Sequence, residues 1–168
     1  MRRGAAAAVA QADVLLMMTG AGWSADSGLA VYRDIADQPA YAARGLTYPD
    51  LCQPHVLRDD PALFYGFWGA CYNDYKHKHL PHEGYTIVQG WRDTLFSDTP
   101  VAEEVRRHAA AARDARGHLV SENKREAKLC AFFSFTSNVD AHWTRFCRPG
   151  ELKECHGCLL YTSPSPRD

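Results

Sequence analysis

Val14 to Met18 is a run of five apolar residues, VLLMM, closed at once by Thr19-Gly20-Ala21-Gly22. Such a run is too short for a buried helix and suits a strand covered on both faces, so the chain begins as an α/β unit. The two glycines flanking Ala21 permit a tight turn and the close approach of a ligand. Ser24 and Ser27 are each expected to cap a following helix, leaving N–H groups aimed at the turn. Strand, glycine turn and helix start together suit a pyrophosphate. Arg33 follows as a fixed positive charge for the same phosphates. The third glycine of the common dinucleotide fingerprint is replaced here by Ala25, which some variants of that fingerprint allow.

Composition narrows the function classes. A chain of 168 residues with 46% hydrophobic and 23% charged residues is an ordinary globular composition with room for one good core. A net charge of -1 argues against a nucleic-acid partner bound by phosphate neutralisation. No apolar stretch reaches the ~18 residues of a membrane span, so no membrane partner is expected. Met1-Arg2-Arg3 and the alanines after it resemble a targeting peptide, but Asp13 interrupts the apolar part. The expected compartment is therefore cytoplasmic or nuclear, with a mitochondrial presequence the weaker reading. Six cysteines without a secretory signal read as reduced thiols.

The string GAGWSADSGLAVYR, from Gly20 to Arg33, resembles the signature of the sirtuins, a family of NAD-dependent protein deacylases. In that signature a GAG turn precedes Ser, then Ser-Gly, then an aromatic-Arg element. Val31 stands where the family has a carboxylate, while Tyr32 keeps the aromatic and Arg33 the charge. The second strand-like run, Leu129 to Thr136, ends in Ser137-Asn138-Val139-Asp140. Ligand chemistry collects at the carboxyl ends of strands in doubly wound sheets. TSNVD resembles the family's Thr-Gln-Asn-x-Asp, with Ser137 in place of Gln, and ELKECHG resembles the segment that carries its catalytic His.

The resemblance implies a role for each of these residues. His156 is the general base, acting on a ribose hydroxyl; an imidazole with an ordinary pKa near ~6.5 can do this at neutral pH. Asn138 positions the reacting groups. Asp140 accepts from the nicotinamide carboxamide, and Ser137 lies in the same motif. Gly20, Ala21, Gly22, Trp23, Ser24 and Ala25, with Tyr32 and Arg33, cradle the cofactor. The expected cofactor is NAD and the expected partner an acylated-lysine protein or peptide. The rival readings are a non-catalytic NAD or ADP-ribose module and an ADP-ribosyl transferase.

The family's catalytic core is much longer than this chain, so residues 1–157 read as a partial NAD-binding catalytic domain. The expected fold class is α/β, a partial Rossmann-like doubly wound parallel sheet with part of a small helical module inserted between its strands. No metal site is expected here: Cys155 and Cys158 make one CxxC pair without a second, and the family's structural zinc belongs to a longer parent.

The remaining segments are read from pattern. Gly4 to Ala12 favours a short helix. Asp34 to Pro61 reads as a proline-rich loop, placed where the family has a mobile cofactor loop. Pro61 to Tyr75 is an aromatic helix, read as core, with a wall of the acyl-lysine channel as the lesser reading. Lys76 to His79 reads as a solvated helix end in preference to a metal site at His77 and His79. Pro81 to Trp91 resembles the family's Pro-initiated helix, with Tyr85 where the family carries His. Residues 101–128 read as an exposed, charged insert. Residues 158–168, CLLYTSPSPRD, resemble the translation of a sequencing adapter and are read as foreign to the fold.

Overall fold

The computed structural model describes residues 2–30, 38–111 and 129–160. The first described elements are α1 (Arg2–Gln11), β1 (Leu15–Thr19), α2 (Ala21–Ala25), α3 (Pro39–Ala42), α4 (Tyr48–Leu51) and α5 (Pro54–Asp59). Then come α6 (Pro61–Asn73), a π-helical turn (Asp74–Lys78), α7 (Glu83–Leu95) and α8 (Pro100–Ala111). β2 (Phe132–Thr136), a 3-10 turn (His142–Arg145) and β3 (Leu152–Glu154) complete the order. The chain divides into two compact units, and each is discontinuous in sequence. The first comprises residues up to Thr19, Glu83–Thr136 and His142–Cys155; the second comprises Gly20–His82, Ser137–Ala141 and the residues from His156 onward.

The first unit holds the sheet. Among the described residues it has three parallel strands in the order β1-β2-β3, with Leu15 opposite Phe132, Thr19 opposite Thr136 and Ser134 opposite Leu152. This mixed helix and strand architecture is compatible with part of a Rossmann-like α/β fold. The helix α7 packs by its period. Tyr85, Val88 and Arg92, with Phe96 just beyond its end, recur every three or four residues, and all are buried. Tyr85 stacks on Phe146 at 5.2 Å and meets Trp143 edge-on at 4.7 Å.

A buried ionic group ties α7 to the chain before β3. Arg92 Nη1 donates to Glu151 Oε2 at 3.1 Å. Glu151 also accepts from the backbone N–H of Cys130 at 3.1 Å and of Arg148 at 3.0 Å. Such a buried carboxylate is tolerated because its oxygens are hydrogen-bonded. The strand β3 carries no periodic apolar signal of its own; it forms because Ser134 N–H finds the Glu151 carbonyl at 2.8 Å and Cys155 N–H the Thr136 carbonyl at 2.9 Å. In α8, Thr99 Oγ1 accepts from Ala102 N–H at 3.1 Å, and Ala102 is buried. Arg106 donates to the carbonyls of Ser97 and Leu129. Residues 112–128 of the expected insert lie outside the described residues.

One expectation about β1 is corrected. The strand is not covered on both faces: Leu16 is 55% and Met18 72% exposed, while Leu15, Met17 and Thr19 face inward. The run is uniformly apolar, but only alternate side chains meet the unit's core.

The second unit is helical among its described residues. Its core is Leu51, Phe67 and Cys71, against which Tyr41, Tyr48, Trp68, Tyr75 and Leu159 pack. Phe67 meets Tyr41 and Tyr48 edge-on at 6.0 and 5.9 Å. Asp60 caps α6, accepting from Leu63 N–H at 3.0 Å. The loop reading of Asp34 to Pro61 is also corrected. From Pro39 on, the stretch contains α3, α4 and α5, each with a proline in its first turn. Proline breaks a helix interior but suits a helix start, so the same residues that suggested loop mark three N-termini. Leu159 donates its N–H to the Val139 carbonyl at 3.0 Å, so residues just after Cys158 pack within this unit.

Candidate functional site

The turn after β1 and the turn after β2 meet inside the second unit. Gly20 is the extended residue before α2, and Trp23 N–H donates back to its carbonyl at 2.9 Å. A Cβ at Gly20 would stand 3.3 Å from Ser137 Oγ, and one at Gly22 would meet nothing within 4 Å. Glycine therefore permits the close approach of the two turns. Gly28 closes the α2 segment with φ at +83°, a conformation that suits glycine, and a Cβ there would lie 3.0 Å from His79 Nδ1.

Three polar side chains are fixed where the turns meet. Asn138 Nδ2 donates to the Gly20 carbonyl at 2.9 Å and to Ser24 Oγ at 2.8 Å. The Ser24 hydroxyl in turn donates to Asp140 Oδ2. All three residues are buried. The sequence expectation that Ser24 and Ser27 cap helices is corrected here. Ser24 lies inside α2 and spends its hydroxyl on Asp140, while Ser27 Oγ accepts from His82 N–H at 3.0 Å. A single five-residue turn offers few N–H groups to cap, so a remote carboxylate outcompetes the local backbone. Immediately after Asp140, Ala141 adopts φ of 58°, a left-handed conformation that costs an alanine roughly 1–2 kcal/mol.

These residues border a cavity of about 550 Å³, lined by Ala21, Ser24, Ser137, Asn138, Asp140 and His156. Gly20, Gly22, Trp23 and Ala25 support the turn without lining the cavity, and Tyr32 and Arg33 lie outside the described residues. The rest of the wall includes Leu29, Tyr48, Cys52, Trp68 and Tyr75. Pattern reading assigned none of these individually, although Trp68 and Tyr75 belong to the aromatic helix segment for which a channel wall was the lesser reading. Tyr48 opens α4 and Cys52 directly follows it, while Trp68 lies in α6 and Tyr75 in the π-helical turn that continues it. Burial pushes the Cys52 thiol above its ordinary value, and burial followed by the neighbouring Cys71 pushes the Tyr75 hydroxyl up. The wall is therefore neutral at physiological pH, and the acid–base candidates at the cavity are Asp140 and His156.

The donor set suits a polar ligand with several hydrogen-bonding groups. It offers an oriented amide, a carboxylate held by a hydroxyl, an imidazole, and a glycine turn with open space beside it. Among the described residues, no group of three or more His, Cys, Asp and Glu is placed to hold a metal ion, and no helix is long and apolar enough to cross a membrane.

No protein-family model matches the chain. It is 31% identical over 159 residues to an NAD-dependent protein deacylase of Deinococcus radiodurans. That alignment takes in 93% of this chain and 50% of the relative. The chain thus spans about half the length of the curated relative it matches.

Proposed function

We propose that the protein from which this chain comes is an NAD-dependent protein lysine deacylase of the sirtuin type. The observation that carries the reading is the Asn138–Ser24–Asp140 relay bordering one cavity with His156. The similarity to an NAD-dependent protein deacylase supports it.

NAD, when bound, supplies a ribose carbon open to attack by an acyl oxygen, with nicotinamide as leaving group. Asn138 Nδ2 donates to Gly20 and Ser24, which fixes the amide beside the cavity, and the assigned role of this side chain is to orient a ribose hydroxyl or water. Ser24 donates to Asp140 Oδ2 and holds the carboxylate at the cavity, where its assigned role is to accept from a carboxamide N–H. His156 receives a proton from a ribose hydroxyl on a ring nitrogen. The substrate is an acyl-lysine in a protein or peptide.

The test is NAD-dependent release of nicotinamide and free lysine from an acyl-lysine peptide by the full-length protein, compared with His156→Ala. Turnover should fall at least a hundredfold while NAD still binds. Unchanged turnover in the variant would refute the role of His156. NAD binding without turnover in the wild type would favour the non-catalytic module, and label retained on protein would favour ADP-ribosyl transfer.

A further inference from the structure

The α2 segment is too short to fix itself. A helix of five residues does not offset the cost of nucleation, and its local serines bond elsewhere, Ser24 to Asp140 and Ser27 to His82. Residues 79–82, which join the π-helical turn to α7, make three contacts with this segment. The His82 N–H donates to Ser27 Oγ at 3.0 Å. The His82 ring meets Trp23 edge-on, with centroids 4.8 Å apart and planes at 62°. His79 Nδ1 and Cε1 stand 3.0 and 3.3 Å from the place a Cβ on Gly28 would take, so glycine at 28 makes room for that imidazole. The joining residues are also stiff. His79 is extended, with φ -125° and ψ 134°, and Pro81 fixes its own φ and confines Leu80 before it to extended backbone. Such a stretch loses little conformational entropy when it docks.

We propose that residues 79–82 are a clasp on the glycine turn, and that His82 is a positioning residue which sets the affinity for NAD by holding Trp23 and Ser27. The clasp stands on the contacts alone, while NAD as the ligand rests on the deacylase reading. Trp23 does not line the cavity, and the clasp gives this half-buried side chain its part in the site: it anchors the segment whose neighbours, Ala21 and Ser24, do line it. An edge-on aromatic pair is worth about two- to twelvefold in an equilibrium constant. Loss of the His82 ring should act on that scale, and on binding more than on the chemical step, because His82 lies outside the cavity lining.

The test compares wild type with His82→Ala, His82→Phe and Ser27→Ala in the full-length protein, with circular dichroism confirming that the variants fold. It measures amide hydrogen exchange, NAD binding by calorimetry, and steady-state turnover of NAD and an acyl-lysine peptide. The amides to follow are those of Ser27, Gly28 and Leu29, which donate to the Ser24 and Ala25 carbonyls. His82→Ala should speed their exchange about threefold or more and raise both Kd and KM for NAD about three- to tenfold. The kcat and the peptide KM should stay within about twofold. Ser27→Ala should move exchange and NAD affinity in the same direction, and His82→Phe, which keeps a ring and the N–H, should recover most of both. Exchange of these amides unmoved by His82→Ala would overturn the clasp. Faster exchange with NAD affinity unmoved, or a loss confined to kcat that His82→Phe does not restore, would overturn the positioning role and leave the deacylase reading intact. Faster exchange restored by His82→Phe, in a wild type that binds no NAD, would support the clasp and overturn the deacylase reading.

Discussion

Replacing Ser24 by Ala removes one hydroxyl and two hydrogen bonds from the centre of the candidate site. One is the bond donated to the Asp140 carboxylate, the other the bond accepted from Asn138 Nδ2 at 2.8 Å. Hydrogen bonds to charged groups contribute about 1.5–3 kcal/mol and neutral ones about 0.5–1.5. Because the residues are buried, water does not readily replace the lost partner, and the expected loss is roughly 2–4 kcal/mol. For a protein of this size that lowers the melting temperature by about 4–16 °C. Calorimetric melting of Ser24→Ala measures the loss directly. A double-mutant cycle with Asp140→Asn isolates the pair and should give a coupling above about 1 kcal/mol. Ser24→Thr keeps the hydroxyl and should recover part of the stability. A Ser24→Ala variant within about 0.5 kcal/mol of wild type, with no coupling to Asp140, would refute the relay and with it the fixed orientation of Asn138.

Further predictions concern the units around the site. Glu151→Ala removes one of the two carboxylates that pair with Arg92, Asp93 remaining as the other, and takes an acceptor from the Cys130 and Arg148 N–H groups. It should cost about 2–4 kcal/mol in urea unfolding, and a loss below about 1 kcal/mol would show that the Glu151 contacts do not hold β3. Burial pushes the Cys71 thiol up to about 11 from an ordinary value of 9.0. Between those two pH values the unfolded chain has released a proton that the native state keeps, so stability should fall as pH rises. Folding free energy measured from pH 8 to 11 should show this decline, and Cys71→Ala should make it shallower. An identical slope in the variant would refute the assignment to Cys71.

The features legible in the sequence are those whose signal is local. The apolar run opening β1, the glycine turn after it, and the polar residues ending β2 each announce themselves within a few positions, because strand length, glycine freedom and turn chemistry are short-range properties. The helix α6 was legible from the helical spacing of its apolar and aromatic residues, since a helix is closed by bonds between near neighbours, while the structure settled Asp60 as its cap. Three-dimensional packing decided the rest. Ser24 looked like a cap and became the bridge between Asn138 and Asp140, more than a hundred positions away. The prolines at 39, 49 and 54 looked like loop and became helix starts. β3 exists only because β2 offers it a partner, and β1 proved half-exposed because only one of its faces meets the core. Of the cavity wall, Tyr48 and Cys52 fell in the stretch read as loop, and Trp68 and Tyr75 in the aromatic helix read as core with a channel wall as the lesser reading. A short apolar or hydroxyl-bearing stretch has many acceptable partners, and the tertiary structure alone selects among them.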